Sequence, residues 1–202
     1  MQRLNVWSIC VGLFFVAMVA TGCQALGLGS VSYKGTQLNP PRDIPEFELV
    51  DTTGSPFHFS DLEGDIALFY FGYTFCPDVC PLTMWDVSSA LKDLEGQEQV
   101  KVVFVSVDPD RDTPEVIDRY VSSFGDNFIG VTGDEDQLDA AKKPFGVFSQ
   151  KEETEDSAAD YLVSHTSRIF LVDPNGDVIL NYSFGFEPDD LRSDLELLLA
   201  QK

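Results

Sequence analysis

Two cysteines four residues apart, Cys76 and Cys80, lie in the run Phe71-Gly72-Tyr73-Thr74-Phe75-Cys76-Pro77-Asp78-Val79-Cys80-Pro81. Thiols at this spacing close a disulfide if their Cα atoms come within about 7 Å, bind a soft metal, or carry out thiol–disulfide exchange. If the segment coils, positions i and i+4 stand one helical turn apart, so both sulfurs can converge on an ion. The third donor candidate is His165, in Tyr161-Leu162-Val163-Ser164-His165-Thr166. Two thiolates and an imidazole form a soft three-donor set. It suits Cu(I), which prefers sulfur, and holds Cu(II) with a further oxygen or water. Structural zinc normally takes four protein ligands. The chain has four cysteines and two histidines; Cys10 and Cys23 fall in the N-terminal segment, and His58 reads as a surface residue of a separate hairpin. Zinc is therefore the weaker match. Taken singly, the cysteine pair fits a structural disulfide of an exported protein equally well. His165 by itself reads as a packing or surface residue. The weight lies in where the fold order puts the three together.

The elements that must position them follow from periodicity. Residues 66–71 are a continuous apolar run and predict a central strand leading into the cysteines. Pro81 fits the first turn of a helix, with Met84, Val87, Leu91 and Leu94 at helical spacing and Gly96 as its stop. Residues 100–107 predict a second buried strand. Asp108-Pro109-Asp110-Arg111-Asp112 is a loop leading to Thr113 as N-cap and Pro114 at the first helical position; Arg111 is also a candidate contact for an acidic partner. Val116, Ile117, Tyr120, Val121 and Phe124 form the next apolar stripe. Residues 128–131 form a short strand, and residues 134–143 a helix stopped by Pro144. Residues 169–172 and 178–182 flank Asp173-Pro174-Asn175-Gly176, a hairpin. Glu187-Pro188 opens a last helix with Leu191, Leu195 and Leu198 inward. Upstream, residues 47–50 and 57–59 flank a polar turn. The order predicts an α/β domain with a mixed central sheet, helices on both faces and an added N-terminal β-hairpin. A βαβ start and a ββα finish, with thiols after the first central strand, is the plan of a thioredoxin-like fold. In that plan a cis-proline followed by threonine faces the cysteines. His165-Thr166 holds the matching place, which sets an imidazole opposite the sulfurs.

Composition narrows the rest. With 202 residues, 44% of them hydrophobic and sixteen of them phenylalanine, the chain can build one domain with a sizeable core. Thirty-four acidic against 13 basic residues give a net charge of −21, which excludes nucleic acid as a partner, because that role needs a basic face. The acids are spread widely, so solubility explains them better than steering toward a basic partner. Glu152-Glu153-Thr154-Glu155-Asp156, with Asp160, reads as an exposed loop. At the N-terminus, Arg3, an apolar run over residues 6–20 and Ala20-Thr21-Gly22 before Cys23 describe an export signal. Ala-Thr-Gly-Cys resembles a lipobox, with Cys23 lipidated as the first mature residue; leucine is more usual where Ala20 stands. The alternative is an uncleaved single transmembrane anchor. Cys10 is a small hydrophobe within the run. Either way the chain from Gln24 lies at the outer face of the cytoplasmic membrane. Residues 24–45, rich in Gly, Ser, Pro and Asn, read as a spacer. The expected division is a signal segment (1–22), a lipidated cysteine and linker (23–45) and a thioredoxin-like copper-binding domain (46–202).

Three segments carry a resemblance: Tyr70 through Pro81, Val105-Ser106-Val107-Asp108-Pro109-Asp110-Arg111-Asp112-Thr113-Pro114, and Asp160 through Thr166. They are similar to the signatures of the Sco/SenC family, and the similarity spans roughly residues 45–199. It implies a thioredoxin-like fold, membrane tethering, copper bound by two cysteines and a histidine, here Cys76, Cys80 and His165, and a role in building the binuclear copper centre of cytochrome c oxidase subunit II. The chain departs from that pattern in its acidic segment 151–160 and in a lipobox-like start where relatives often carry a spanning helix. The expected function is a membrane-tethered copper chaperone for subunit II, working by ligand exchange and served by an extracytoplasmic thiol reductant. Asp78, between the cysteines, disfavours thiolates by like charge, and a cuprous ion offsets it. The rival of another class is an enzyme, a thiol–disulfide reductase of the oxidase copper-site cysteines with Cys76 and Cys80 catalytic. The longer spacing and His165 argue against that as the main role. Peroxidase action is weaker still, since the cysteine turn carries no arginine.

Overall fold

The computed structural model describes residues 32–153 and 161–201. The compact unit that holds the site begins at Tyr33. Its elements in chain order are β1 (Thr36–Asp43), β2 (Glu48–Asp51), β3 (Pro56–His58), β4 (Ile66–Gly72), α1 (Val79–Leu91), β5 (Val100–Ser106), α2 (Pro114–Val121), β6 (Phe128–Thr132), α3 (Glu135–Phe145), β7 (Ser149–Glu153), β8 (Tyr161–His165), β9 (Arg168–Val172), β10 (Asp177–Ser183) and α4 (Pro188–Leu199).

β4 is the centre. All seven of its residues are buried, as expected of a strand covered on both faces. It pairs parallel with β5 and antiparallel with β9. β6 continues the sheet parallel to β5, and the β2–β3 hairpin joins through β6. On the other side β10 pairs with β9, and β1 closes the edge, giving the order β1-β10-β9-β4-β5-β6-β2-β3. This mixed sheet, with its βαβ and ββα halves meeting at β4 and β9, is the thioredoxin-like fold.

Alternation along β4 sends successive side chains to opposite faces. Tyr70 neighbours Phe104 on β5, whose ring meets Tyr120 of α2 at 5.0 Å. On the opposite face, Phe69 and Phe71 pack on Phe145 of α3 at 4.9 and 5.2 Å, with Phe47, Phe59 and Phe170 around them. Helices thus cover both faces. α1 lies against α4, where Arg192 donates to the Ser89 carbonyl at 2.6 Å.

Four expectations need correction. The spacer read up to Pro45 belongs to the fold from Lys34 onward: β1 is an edge strand, exposed on both sides apart from half-buried Leu38, so no apolar alternation marks it and its prolines are tolerated. Asp194 of α4, fully buried, secures this start by accepting from the N–H groups of Lys34 and Gly35 at 2.9 and 2.8 Å and from the Tyr182 hydroxyl at 2.6 Å. α1 stops at Leu91, well short of Gly96. α3 runs one residue past Pro144 to Phe145 and ends on left-handed Gly146, while Arg42 of β1 donates to the Pro144 carbonyl. Within the acidic segment, Lys151 to Glu153 lie in β7, which pairs with β8 as a two-stranded sheet of its own; residues 154–160 lie outside the described residues. The strand Ser-Gln-Lys-Glu-Glu carries no apolar pattern to betray it.

Candidate metal centre

β4 delivers the chain to the cysteines and must do so at close quarters. A Cβ on Gly72 would stand 2.6 Å from the Tyr70 ring and 3.1 Å from the Cys80 sulfur, so the absence of a side chain there admits the sulfur. The chain then turns, and α1 begins at Val79. The Cys80 N–H, one of the helix's unpaired first-turn donors, points to the Cys76 Sγ at 3.4 Å. Cys80 is fully buried and Cys76 half-buried, and both are free thiols.

His165 arrives from the other side as the last residue of β8, paired with Ser149 of β7. The next residue is pinned: the Thr166 N–H donates to the Phe148 carbonyl, and the Phe148 N–H to the Thr166 hydroxyl. The imidazole stands perpendicular to the rings of Tyr70 and Tyr73, at 5.9 and 5.8 Å. Its Nε2 is 3.4 Å from the Cys80 Sγ. The structure therefore brings together Cys76, Cys80 and His165, whose donor atoms all lie within 4.8 Å of one another; it is the one such group among the described residues. His58 stays on the β2–β3 hairpin beside Glu46 and Glu48. Cys23 lies outside the described residues.

Electrostatics divides the two sulfurs. The Cys76 thiol is pulled down to about 3, first by the hydrogen bond from the Cys80 thiol and, against desolvation, by His165 and the N–H groups of Asp78 and Cys80. Cys80 is driven up by the proton it shares with Cys76 and by burial. One proton thus sits between two sulfurs. Burial and the nearby cysteine sulfurs also raise the phenols of Tyr70 and Tyr73, which stay neutral.

The donor set fits a soft cation. A trigonal ion with bonds of about 2.0–2.3 Å holds its donors about 3.5–4 Å apart, so atoms within 4.8 Å close on it with movements of about 1 Å. The His165 Nδ1 is buried without a partner, so no hydrogen bond at that atom fixes the ring, which is held by packing against Tyr70 and Tyr73.

Polar groups of the 108–112 loop, legible in the sequence only as a loop, hold the site. Asp112, buried, accepts from the Thr74 N–H at 2.9 Å and from the hydroxyls of Thr74 and Ser106 at 2.5 Å each. Asp108, also buried, accepts from Arg111 and Tyr161. Burial pushes the Asp112 carboxyl up while its hydrogen bonds oppose that. Arg111 faces inward to these partners, so it does not serve as a free rim for an acidic partner. The signal was present as three acids and an arginine in five residues at the end of a central strand. Thr113 does hold the N-cap position, but its hydroxyl bonds the Glu115 carboxylate instead of capping.

A thioredoxin-like sheet with two thiols and an imidazole gathered at the end of its central strand defines a class of soft-metal and thiol-redox proteins. The SCO1/SenC family model matches residues 36–200, and the chain belongs to that family. A "Putative copper-binding protein" of Stutzerimonas stutzeri is 39% identical over 140 residues, 68% of this chain and 67% of that protein. The solution structure of apo Sco1 from Thermus thermophilus aligns with a TM-score of 0.74 at 38% identity, covering 84% of this chain and 99% of that one. Arabidopsis thaliana ScoI with copper bound aligns at 0.72 with 31% identity, covering 78% and 98%. Among the described residues no helix is long and apolar enough to cross a membrane.

Proposed function

We propose that the protein is a copper chaperone, tethered outside the cytoplasm through lipidated Cys23, that carries one copper ion on Cys76, Cys80 and His165 to the binuclear copper site of cytochrome c oxidase subunit II. The observation that carries this reading is the convergence of two sulfurs and an imidazole, from elements 85 positions apart, within one coordination sphere. Family membership and the copper-bound relative support the metal; the Ala-Thr-Gly-Cys motif supports the tether; the family's role in oxidase assembly supports the recipient.

Copper is the cargo. Binding it displaces the proton shared by the sulfurs, so one cuprous ion relieves the conflict that holds Cys80 protonated. Three donors leave the coordination open to an incoming thiolate. Cys76 and His165 are half-buried and Cys80 fully buried, so exchange starts at Cys76 and Cys80 releases last. Outside the cytoplasm the pair drifts toward a disulfide, and a thiol reductant must restore it.

A second reading has its own support. A half-exposed thiolate beside a buried protonated thiol is also the arrangement of an attacking and a resolving cysteine, the layout of a reductase for the oxidase copper-site cysteines. Titrating the reduced protein and its His165→Ala variant with Cu(I) separates them. The chaperone binds one equivalent tightly and loses that affinity in the variant. Binding indifferent to His165, with rapid disulfide exchange, sinks the chaperone and selects the reductase.

A further inference from the structure

β7 and β8 form a sheet of their own, without strand hydrogen bonds to the main sheet that carries the cysteines. The β9–β4 ladder, which begins just after His165, anchors the end of β8 near the cysteines, but no ladder bond holds the rest of β8 against the cysteine loop, and contacts from outside the sheets must do that.

Arg111 occupies the gap. Its guanidinium lies 3.6 Å from the ring centre of Tyr161, 5.2 Å from that of Phe75 and 5.7 Å from that of Tyr73. Tyr161 opens the strand that ends at His165; Tyr73 and Phe75 flank Thr74 in the cysteine loop. One planar cation thus touches both donor-bearing segments. Its Nε donates to the Asp108 carboxylate at 2.6 Å and its Nη1 to the Tyr161 carbonyl at 3.0 Å. The second Asp108 oxygen accepts from the Tyr161 hydroxyl at 2.7 Å, closing a ring of contacts around a fully buried carboxylate. One loop turn further, Asp112 holds Thr74 by both its N–H and its hydroxyl.

We propose that Arg111 is a positioning residue for the metal centre: it sets the separation between the His165 imidazole and the two sulfurs, so that copper affinity is governed from a loop that supplies no donor. This rests on the copper reading above. Lysine is a poor substitute, because a compact ammonium satisfies Asp108 but cannot also cover the Tyr161 ring and reach its carbonyl. Arg111→Lys therefore keeps the charge on buried Asp108 compensated while removing the planar bridge.

The test uses the full chain as wild type, Arg111→Lys, His165→Ala and the double variant. Tyr161→Phe, which removes only the hydroxyl on Asp108, stands in if Arg111→Lys fails to fold. Cu(I) affinity is read by competition with a chromophoric chelator, imidazole ligation by the nitrogen hyperfine coupling of the Cu(II) protein, and apo structure by amide hydrogen exchange. Arg111→Lys is expected to weaken Cu(I) by about ten- to a hundredfold, to diminish the nitrogen coupling, and to speed exchange across residues 161–165 but not in β4. In the His165→Ala background it costs less than about twofold, since the two act as one unit. Wild-type affinity and exchange in Arg111→Lys, or a loss of equal size with and without His165, overturns the proposal. If wild type and His165→Ala bind copper equally, the copper reading fails instead. Exchange then judges the positioning role: faster exchange at 161–165 keeps it, and unchanged exchange ends it.

Discussion

At the scale of the residue, Cys76 and Cys80 are alike in type and opposite in state. Cys76 accepts from the Cys80 N–H at 3.4 Å, and the Cys80 thiol beside it, with His165 and nearby backbone N–H groups, holds it down at about 3. Cys80 keeps its proton. The sign for folding follows. A group whose folded pKa lies below its unfolded value contributes stability that is complete above the unfolded thiol range and is lost as pH falls toward about 3. Below the unfolded thiol range Cys80 is protonated in both states and adds no pH dependence; above it, its raised pKa costs stability and opposes the Cys76 contribution. In the metal-free reduced protein, alkylation by iodoacetamide should therefore go to Cys76, at a rate nearly flat from about pH 8 to about pH 5. An unperturbed thiol slows by about tenfold per pH unit there. Mass mapping of the adduct together with the rate profile checks this; adducts on Cys80, or a tenfold decline per unit, would refute the assignment. Gly72 is tested at the same scale. Gly72→Ala drives a methyl group against Tyr70 and Cys80, an overpacking cost of about 1–3 kcal/mol, and denaturant unfolding should show a lowered midpoint with an unchanged slope.

The elements contribute by where they end. β4 stops where Gly72 lets a sulfur approach, α1 starts so that its first-turn amide meets Cys76, and β8 ends on His165. β1 contributes differently, covering the edge of β10 and fixing the entry of the chain through Asp194. Asp194→Ala leaves two backbone N–H groups and the Tyr182 hydroxyl without their acceptor, at about 1–3 kcal/mol for each donor left buried and unpaired. A loss of at least about 2 kcal/mol in urea unfolding is expected, and Asp194→Asn should lose less, because its amide oxygen still accepts. A neutral Asp194→Ala would show that the segment from Lys34 to Asp43 is a dispensable linker after all.

Across the whole molecule, a bound copper ion would tie the β4–α1 junction to the separate β7–β8 sheet, joining residues 85 positions apart in the chain. A ligand that binds only the folded state stabilises it by mass action, about 2.7 kcal/mol at a hundred times its dissociation constant. Calorimetry of the reduced protein should show a rise in Tm on adding Cu(I), lost in His165→Ala and absent from the disulfide form. An equal rise in His165→Ala would place the metal elsewhere. The charge of −21 acts on this scale too, since the ion pairs at the loop between β5 and α2, Arg111 with Asp108 and Lys151 of β7 with Asp110, use scarce cations inside a field of acids.

What the chain states by itself is whatever depends on local pattern. The apolar run of β4, the helical spacing of Met84, Val87 and Leu91, the proline at the first turn of α2, the Asp-Pro-Asn-Gly turn between β9 and β10, and the alternation of β and α elements were enough for the thioredoxin-like plan and for naming Cys76, Cys80 and His165. β1 and β7 escaped because edge and isolated strands that face solvent need no apolar code; β8, buried or half-buried throughout, escaped because its apolar stretch, Tyr161 to Val163, is only three residues long. The roles of Asp108, Arg111, Asp112 and Asp194 escaped for a related reason. A buried charge is stable only beside partners that the folded sheet supplies from distant segments, such as Tyr161 for Arg111 and Lys34 for Asp194. Sequence spacing sets what a segment becomes; only packing sets which segments meet, because a contact between positions 85 apart has no local signature.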